Sequence, residues 1–345
     1  MSADLRDWIP IRIYPEAGDF WVDWLRLGDK KLDAPFFQDS IQEVLRHPFH
    51  HAFRQQTPID VMNTWHQQSP GLEPSGFIFH ASRCGSTLVA QMLAAISKNC
   101  VYSEAPALDT LLKSLQRFPQ WPAELRIESL RALLSAWGQP SVGKALTSRQ
   151  HLFIKNDGWS ALNAPLIRAA WPATPWVFVY RNPLEILVSQ MRQRASFLIP
   201  GIADWGTAGL LSQEEANQEP VEYCARRLGS IFEAMLKNFD PQTTLLVNYT
   251  ELPDAVAARI APHFKLALDE DELQSMAAAS MRDAKSPSQS FTPDSVSKKL
   301  EATDHMRAMA ERWMLPHYRQ LEACREEQSG KTSKTISQAL QPSKL

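Results

Sequence analysis

A parallel α/β sheet of about five strands, covered by helices on both faces and preceded by a small N-terminal extension, is the fold this sequence predicts. Two observations predict it. From Gly76 onward, short apolar runs rich in β-branched and aromatic residues alternate with helical patterns, as strands joined by helical crossovers do. Before Gly76, residues 8–14 and 20–25 read instead as a hairpin, with its turn at 15–18.

Taken in order, the extension continues with a helical stretch over 39–54, in which Pro48 marks a break. His47, His50 and His51 lie there without a Cys or carboxylate beside them, so they read as polar helix residues rather than metal ligands. Residues 60–74 read as a linker into the main core. Strands are expected at 77–80, 100–103, 152–155, 176–180 and 245–249, with helices at 87–97, 123–137, 161–171, 184–197 and 223–239. Strand order does not follow from the sequence. Segments 199–220 and 285–293 lack periodicity and read as functional loops. Beyond Arg325 the chain turns polar and Ser/Lys-rich, which predicts a frayed tail. The expected organisation is therefore an extension over 1–74, a main domain over 75–324 and a flexible tail over 325–345.

Composition narrows the function classes. With 345 residues, 44% of them hydrophobic, the chain can bury a sizeable core. A net charge of −2 supplies no general field toward nucleic acid or an anionic membrane. No run approaches the ~18 apolar residues of a membrane span, and residues 1–25, acidic and broken by Pro10 and Pro15, do not read as an export signal. The four cysteines are scattered, with no C-x-x-C spacing for metal or redox work. A reduced, cytoplasmic setting is the expectation, and oligomeric state is unreadable.

The most informative stretch is Gly76-Phe-Ile-Phe-His-Ala-Ser-Arg-Cys-Gly-Ser-Thr-Leu-Val-Ala90. An apolar strand runs through a loop of small and basic residues directly into a helical pattern. Such a loop turns backbone N–H groups inward at a helix N-terminus, where an anion is favoured. Aligned with the P-loop pattern G-x-x-x-x-G-K-[ST], Gly85 takes the second glycine and Thr87 the hydroxyl position. His80 then replaces the first glycine and Ser86 the lysine that reaches the β/γ-phosphates. A triphosphate site is thereby disfavoured. The fixed charge sits earlier, on Arg83, whose planar guanidinium can fork onto a phosphate or sulfate. Cys84, at a helix N-terminus beside Arg83, is expected to have a lowered pKa without being a nucleophile.

A second junction repeats the design. Strand Trp176-Val-Phe-Val-Tyr180 leads into Arg181-Asn-Pro-Leu-Glu-Ile-Leu-Val-Ser189. Asn182 suits an N-cap, Pro183 the first helical position, and Glu185 a capping box. Arg181 should project from the strand tip and Ser189 lie about two turns into the helix. Two such junctions suggest a ligand with two separate anionic ends.

Together these segments resemble the sulfotransferase family, in its bacterial and tyrosylprotein-like branch, over roughly residues 76–285. The resemblance implies a P-loop-type fold and 3′-phosphoadenosine 5′-phosphosulfate (PAPS) as donor, with no metal. Arg83, Cys84, Gly85, Ser86 and Thr87 match the family's 5′-phosphosulfate loop, and Arg181 and Ser189 its 3′-phosphate site. Lys155 matches the lysine near the donor's leaving oxygen. Tyr249 resembles the tyrosine beside the adenine, and Lys285 lies where the family carries a basic loop. Glu104 resembles the base of the bacterial and tyrosylprotein branch and is the preferred carboxylate. Asp157, which departs from a histidine of the cytosolic members, is the other candidate. The acceptor would be a small molecule or peptide bearing a hydroxyl or amine. A P-loop kinase and a non-catalytic phosphoadenosine-binding module are the alternatives.

Overall fold

The computed structural model describes residues 4–16, 18–27, 30–140, 149–200, 218–282, 284, 298 and 300–339. Its N-terminal part is an antiparallel sheet. Strand β1 (Trp8–Glu16) pairs with β2 (Asp19–Arg26), whose other edge takes β3 (Gln55–Pro58). Between β2 and β3 lie α1 (Phe37–Leu45) and α2 (Pro48–Ala52). Pro48 does divide the predicted helix, because it starts a new one, and His47 caps it by accepting the Phe49 N–H at 3.3 Å. The predicted linker is instead helix α3 (Ile59–Gln68), whose Ile59 and Met62 are buried. Polar β3 was not foreseen; its short run carries no alternation, and β2 supplies its pairing.

The main sheet follows the predicted alternation. Strand β4 (Pro74–His80) leads to α4 (Ser86–Ala94), β5 (Asn99–Ser103), α5 (Pro106–Arg117) and α6 (Ala123–Trp137). Next come β6 (His151–Lys155), α7 (Ala164–Ala170), β7 (Trp176–Tyr180), α8 (Pro183–Arg192), α9 (Pro220–Lys237) and β8 (Thr244–Asn248). Helices α10 (Glu270–Ser280), α11 (Asp304–Trp313) and α12 (Leu315–Ala339) complete the described chain. All five strands pair in parallel, in the order β5-β6-β4-β7-β8.

Side-chain alternation explains why both faces are covered. Phe77, Phe79, Ile154, Trp176 and Phe178 join one buried cluster, while Ile78, Phe153, Val177, Val179 and Val247 join another on the opposite face. The first cluster is closed by residues of α5, α6, α7 and α9, and the second by Val89 and Leu93 of α4 and Met276 of α10.

Strand order positions the site. After β4 the chain crosses to β5 on one side, whereas after β7 it proceeds to β8 on the other. The carboxyl ends of β4 and β7, which are neighbours, therefore flank the topological switch point where such sheets bind ligands. Both sequence motifs begin there.

The predicted polar tail is helical through Ala339. Its Gln328 Oε1 accepts the Leu246 N–H at 3.1 Å and its Nε2 donates to the Thr244 carbonyl at 2.7 Å. A glutamine side chain thus satisfies edge strand β8 as another strand would, a contact that local polarity cannot reveal. No helix among the described residues is long and apolar enough to cross a membrane. Residues 201–217 and 285–297, covering most of the two expected loops, lie outside the described residues.

Candidate functional site

Between β4 and α4 the backbone takes a conformation that costs energy in L-residues. Ser82 (φ 64°), Arg83 (φ 49°) and the α4 N-cap Gly85 (φ 85°) are all left-handed. Non-glycine residues stay there only when their surroundings enforce it. Here the Ser82 N–H donates to His80 Nδ1 at 3.1 Å, and Gln190 of α8 donates to Ser82 Oγ at 2.8 Å. At Gly85 the positive φ is what favours glycine, and an added Cβ would also lie 2.7 Å from Leu252 Cδ1. A turn of this kind leading into a helix N-terminus is the sort of backbone that forms an anion nest.

Arg83 Nη2 donates to both the backbone oxygen and Oε1 of Gln193, each at 3.1 Å, at the mouth of α8. Ser86 and Thr87 are buried in the first turn of α4. Cys84 corrects an expectation. Its thiol faces inward and donates to the Val179 carbonyl at 3.0 Å, and burial pushes it up to about 11. Desolvation outweighs the helix terminus, so iodoacetamide should leave Cys84 unmodified until the protein unfolds, as peptide mass mapping would show.

On β7 the arginine junction forms as the spacing implies. Asn182 Oδ1 accepts the N–H groups of Leu184 at 3.0 Å and Glu185 at 3.4 Å. Glu185 departs from the predicted capping box, since its carboxylate takes Arg181 Nε at 2.7 Å. Arg181, only 3% exposed, has its guanidinium carbon 4.0 Å from the centroid of the Tyr249 ring. Tyr249 opens the 3-10 turn after β8, and its ring also borders the position of Gly85. Arg181, Tyr249 and the β4 loop are thereby brought together, with Ser189 buried in α8. Lys285 lies outside the described residues.

The third group occupies the carboxyl ends of β5 and β6. Lys155, fully buried, is ion-paired with Glu104 Oε1, and His80 Nε2 stands 3.4 Å from the same oxygen. Glu104 itself is left-handed, at φ 52°. Burial pushes the Glu104 carboxyl up, but the Lys155 ammonium and then His80 overcome it and hold the carboxyl well below the usual range. His80 is held below the usual histidine range, first by burial and then by the Lys155 charge. Its Nδ1 already accepts from Ser82, which leaves the proton of the neutral ring on Nε2, buried 3.4 Å from Glu104 Oε1 without a hydrogen-bond partner.

Asp157 has the opposite surroundings. Burial pushes its carboxyl up to about 7, the charges of Glu104 and Asp109 add to the rise, and Lys155 opposes it. It opens on a cavity of about 140 Å³ lined also by Glu104, Pro106, Leu108, Asp109 and Lys155. The Asn156 side chain between Lys155 and Asp157 is fully buried, and neither of its polar atoms has a hydrogen-bond partner. Leaving a buried polar group unpaired costs about 1–3 kcal/mol.

His80, Asn156, Gln190 and Gln193 were missed from the sequence. Only the mismatch of His80 with the first P-loop glycine signalled any of them.

The chain is thus a parallel α/β sheet with left-handed backbone after β4 and the cations Arg83, Lys155 and Arg181 at or just beyond the carboxyl ends of three adjacent strands, β4, β6 and β7. No family model and no curated protein matches the sequence. Among solved structures, the chain is similar to a sulfotransferase domain from the curacin biosynthetic pathway, at 15% identity and TM-score 0.40, covering 70% of this chain and 98% of that one. It is similar to a sulfotransferase from Alicyclobacillus acidocaldarius at 14% identity and TM-score 0.41, covering 74% and 96%. A third similarity is to sulfotransferase STF1 from Mycobacterium tuberculosis H37Rv, at 16% identity and TM-score 0.40, covering 72% and 81%.

Proposed function

We propose that this protein is a sulfotransferase that moves a sulfuryl group from PAPS to an acceptor hydroxyl or amine. One observation carries the reading: the nest with Arg83 and the Arg181–Tyr249 pair flank one switch point, while Ser86 replaces the lysine that a triphosphate needs. A nucleotide with anions on both the 5′ and 3′ sides of its ribose matches that spacing of charge.

The residues fit such a donor. The loop from Arg83 to Thr87 at the α4 N-terminus would offer N–H groups to a 5′ anion, and Arg83 adds a fork-shaped cation. Arg181, with Ser189 nearby on α8, would hold the 3′-phosphate, and Tyr249 offers a ring face for a base. The donor supplies a sulfuryl group already joined to a good leaving phosphate. Lys155 is placed to stabilise charge as that group leaves, once its pairing with Glu104 loosens. Asp157 we read as the base that takes the acceptor proton, because a carboxyl near neutrality can both hold and release it. Glu104, held ionised by Lys155, is the poorer base and the better orienter of that lysine.

Calorimetry tests the reading. Adenosine 3′,5′-bisphosphate should bind, whereas ATP and ADP with magnesium should not. Uptake of ATP with indifference to the bisphosphate would overturn it.

A further inference from the structure

The N-terminal extension reaches the proposed chemistry. Phe36, which precedes α1, places its ring centroid 5.3 Å from Lys155 Nζ. Lys155 itself has no solvent exposure, so the ring is part of what covers its ammonium. The placement is anchored at both ends of a packed series. Adjacent Phe37 is buried, with its ring 5.7 Å from Tyr102 and 5.9 Å from Trp137. Tyr102 and Trp137 stack at 4.6 Å, and Trp137 Nε1 donates to the Pro10 carbonyl of β1 at 2.9 Å. On the other side of Phe36, the Ala34 N–H donates to buried Ser40 Oγ at 3.2 Å. The extension, α6 and β5 thus fix one half-buried phenyl ring over the cationic end of β6.

We propose that Phe36 is a positioning residue that keeps water from the Lys155 end of the site, so that a bound donor loses its sulfuryl group to the acceptor and not to water. The proposal rests on the sulfotransferase reading. An ammonium against an aromatic face is held by the ring quadrupole, and that attraction grows as water is excluded. The reaction suppressed is hydrolysis. A water oxygen bonds to sulfur while the sulfur–oxygen bond to the 5′-phosphate breaks, its electron pair stays with the phosphate, and the water proton passes to Asp157. Sulfate and adenosine 3′,5′-bisphosphate are the products, and nothing further is consumed.

The test uses the full chain with Phe36→Ala and Phe36→Trp. Each is incubated with PAPS alone and sulfate release is followed. Separately, donor-free protein is treated with trinitrobenzenesulfonate and the modification at Lys155 is located by mass spectrometry. The alanine variant, with water admitted beside the donor, should release sulfate about tenfold faster, which is about 1.4 kcal/mol off the barrier to hydrolysis. Its Lys155 should label faster, its affinity for adenosine 3′,5′-bisphosphate should stay the same, and tryptophan should restore both rates. Sulfate release equal to wild type, or equal labelling of Lys155, overturns the proposal, as does failure of tryptophan to restore them. Absence of bisphosphate binding by the wild type sinks the functional reading instead, and labelling still decides the shielding because it needs no donor.

Discussion

Asp157→Asn should lower the transfer rate by about 10²–10⁴, the span that a positioned acid–base group contributes. The affinity for adenosine 3′,5′-bisphosphate should stay unchanged, because Asp157 faces the cavity and not the loop of β4. The sign of the pH dependence follows from the shift. A base must be deprotonated, so the rate should climb as pH rises through about 7, and that acid limb should vanish in the variant. Stability should change in the opposite direction. Asp157 holds its proton more tightly folded than unfolded, between the ordinary 3.8 and about 7, so stability falls as pH rises across that window. Asparagine removes this slope, which thermal unfolding at a series of pH values would display. Glu104→Gln should cost less in rate. A ranking with Glu104→Gln the more damaging and Asp157→Asn nearly silent would assign the base to Glu104.

Loss of Arg181 should fall on donor affinity. Hydrogen bonds to charged groups contribute about 1.5–3 kcal/mol, so binding of adenosine 3′,5′-bisphosphate should weaken roughly 10–150-fold in Arg181→Met. Arg181 also pairs with buried Glu185, and stripping one partner from a buried ion pair is strongly destabilising. The informative variant is therefore Arg181→Met with Glu185→Gln, which leaves no uncompensated carboxylate from that pair. Titration with adenosine 5′-phosphosulfate, which lacks the 3′-phosphate, provides the contrast. Its affinity should be nearly the same in wild type and variant. Equal weakening toward both nucleotides would place Arg181 in the general packing of the site and not at the 3′-phosphate.

Much of the main sheet was legible because its signals are local. Four of the five apolar runs form strands within one residue of their expected bounds, β4 begins three residues early at Pro74, and Asn182 with Pro183 starts α8 as their chemistry dictates. Elements whose stability comes from elsewhere were less readable. Polar β3 exists through β2, and α12 continues past Arg325 because Gln328 meets the backbone of β8. Glu185 shows the same limit within one turn, since a nearby guanidinium outcompetes the N-cap amide for its carboxylate. The thiol of Cys84 shows it again: its neighbours in sequence favour the thiolate, and its neighbours in space exclude it.

By itself the sequence determined two strand–loop–helix junctions, each with an arginine, and a first loop in which Ser86 stands where a triphosphate site has lysine. Those properties depend on residues only a few positions apart, where backbone sterics and capping act. Tertiary structure alone decided that the two junctions are neighbours, because strand order is a matter of which edges meet. It also gave the two carboxylates opposite surroundings. Glu104 meets Lys155 across 51 residues of chain, and Asp157, left facing a cavity among like charges, keeps its proton to near neutrality. Charge and burial act through space, and the order of residues along a chain does not record them.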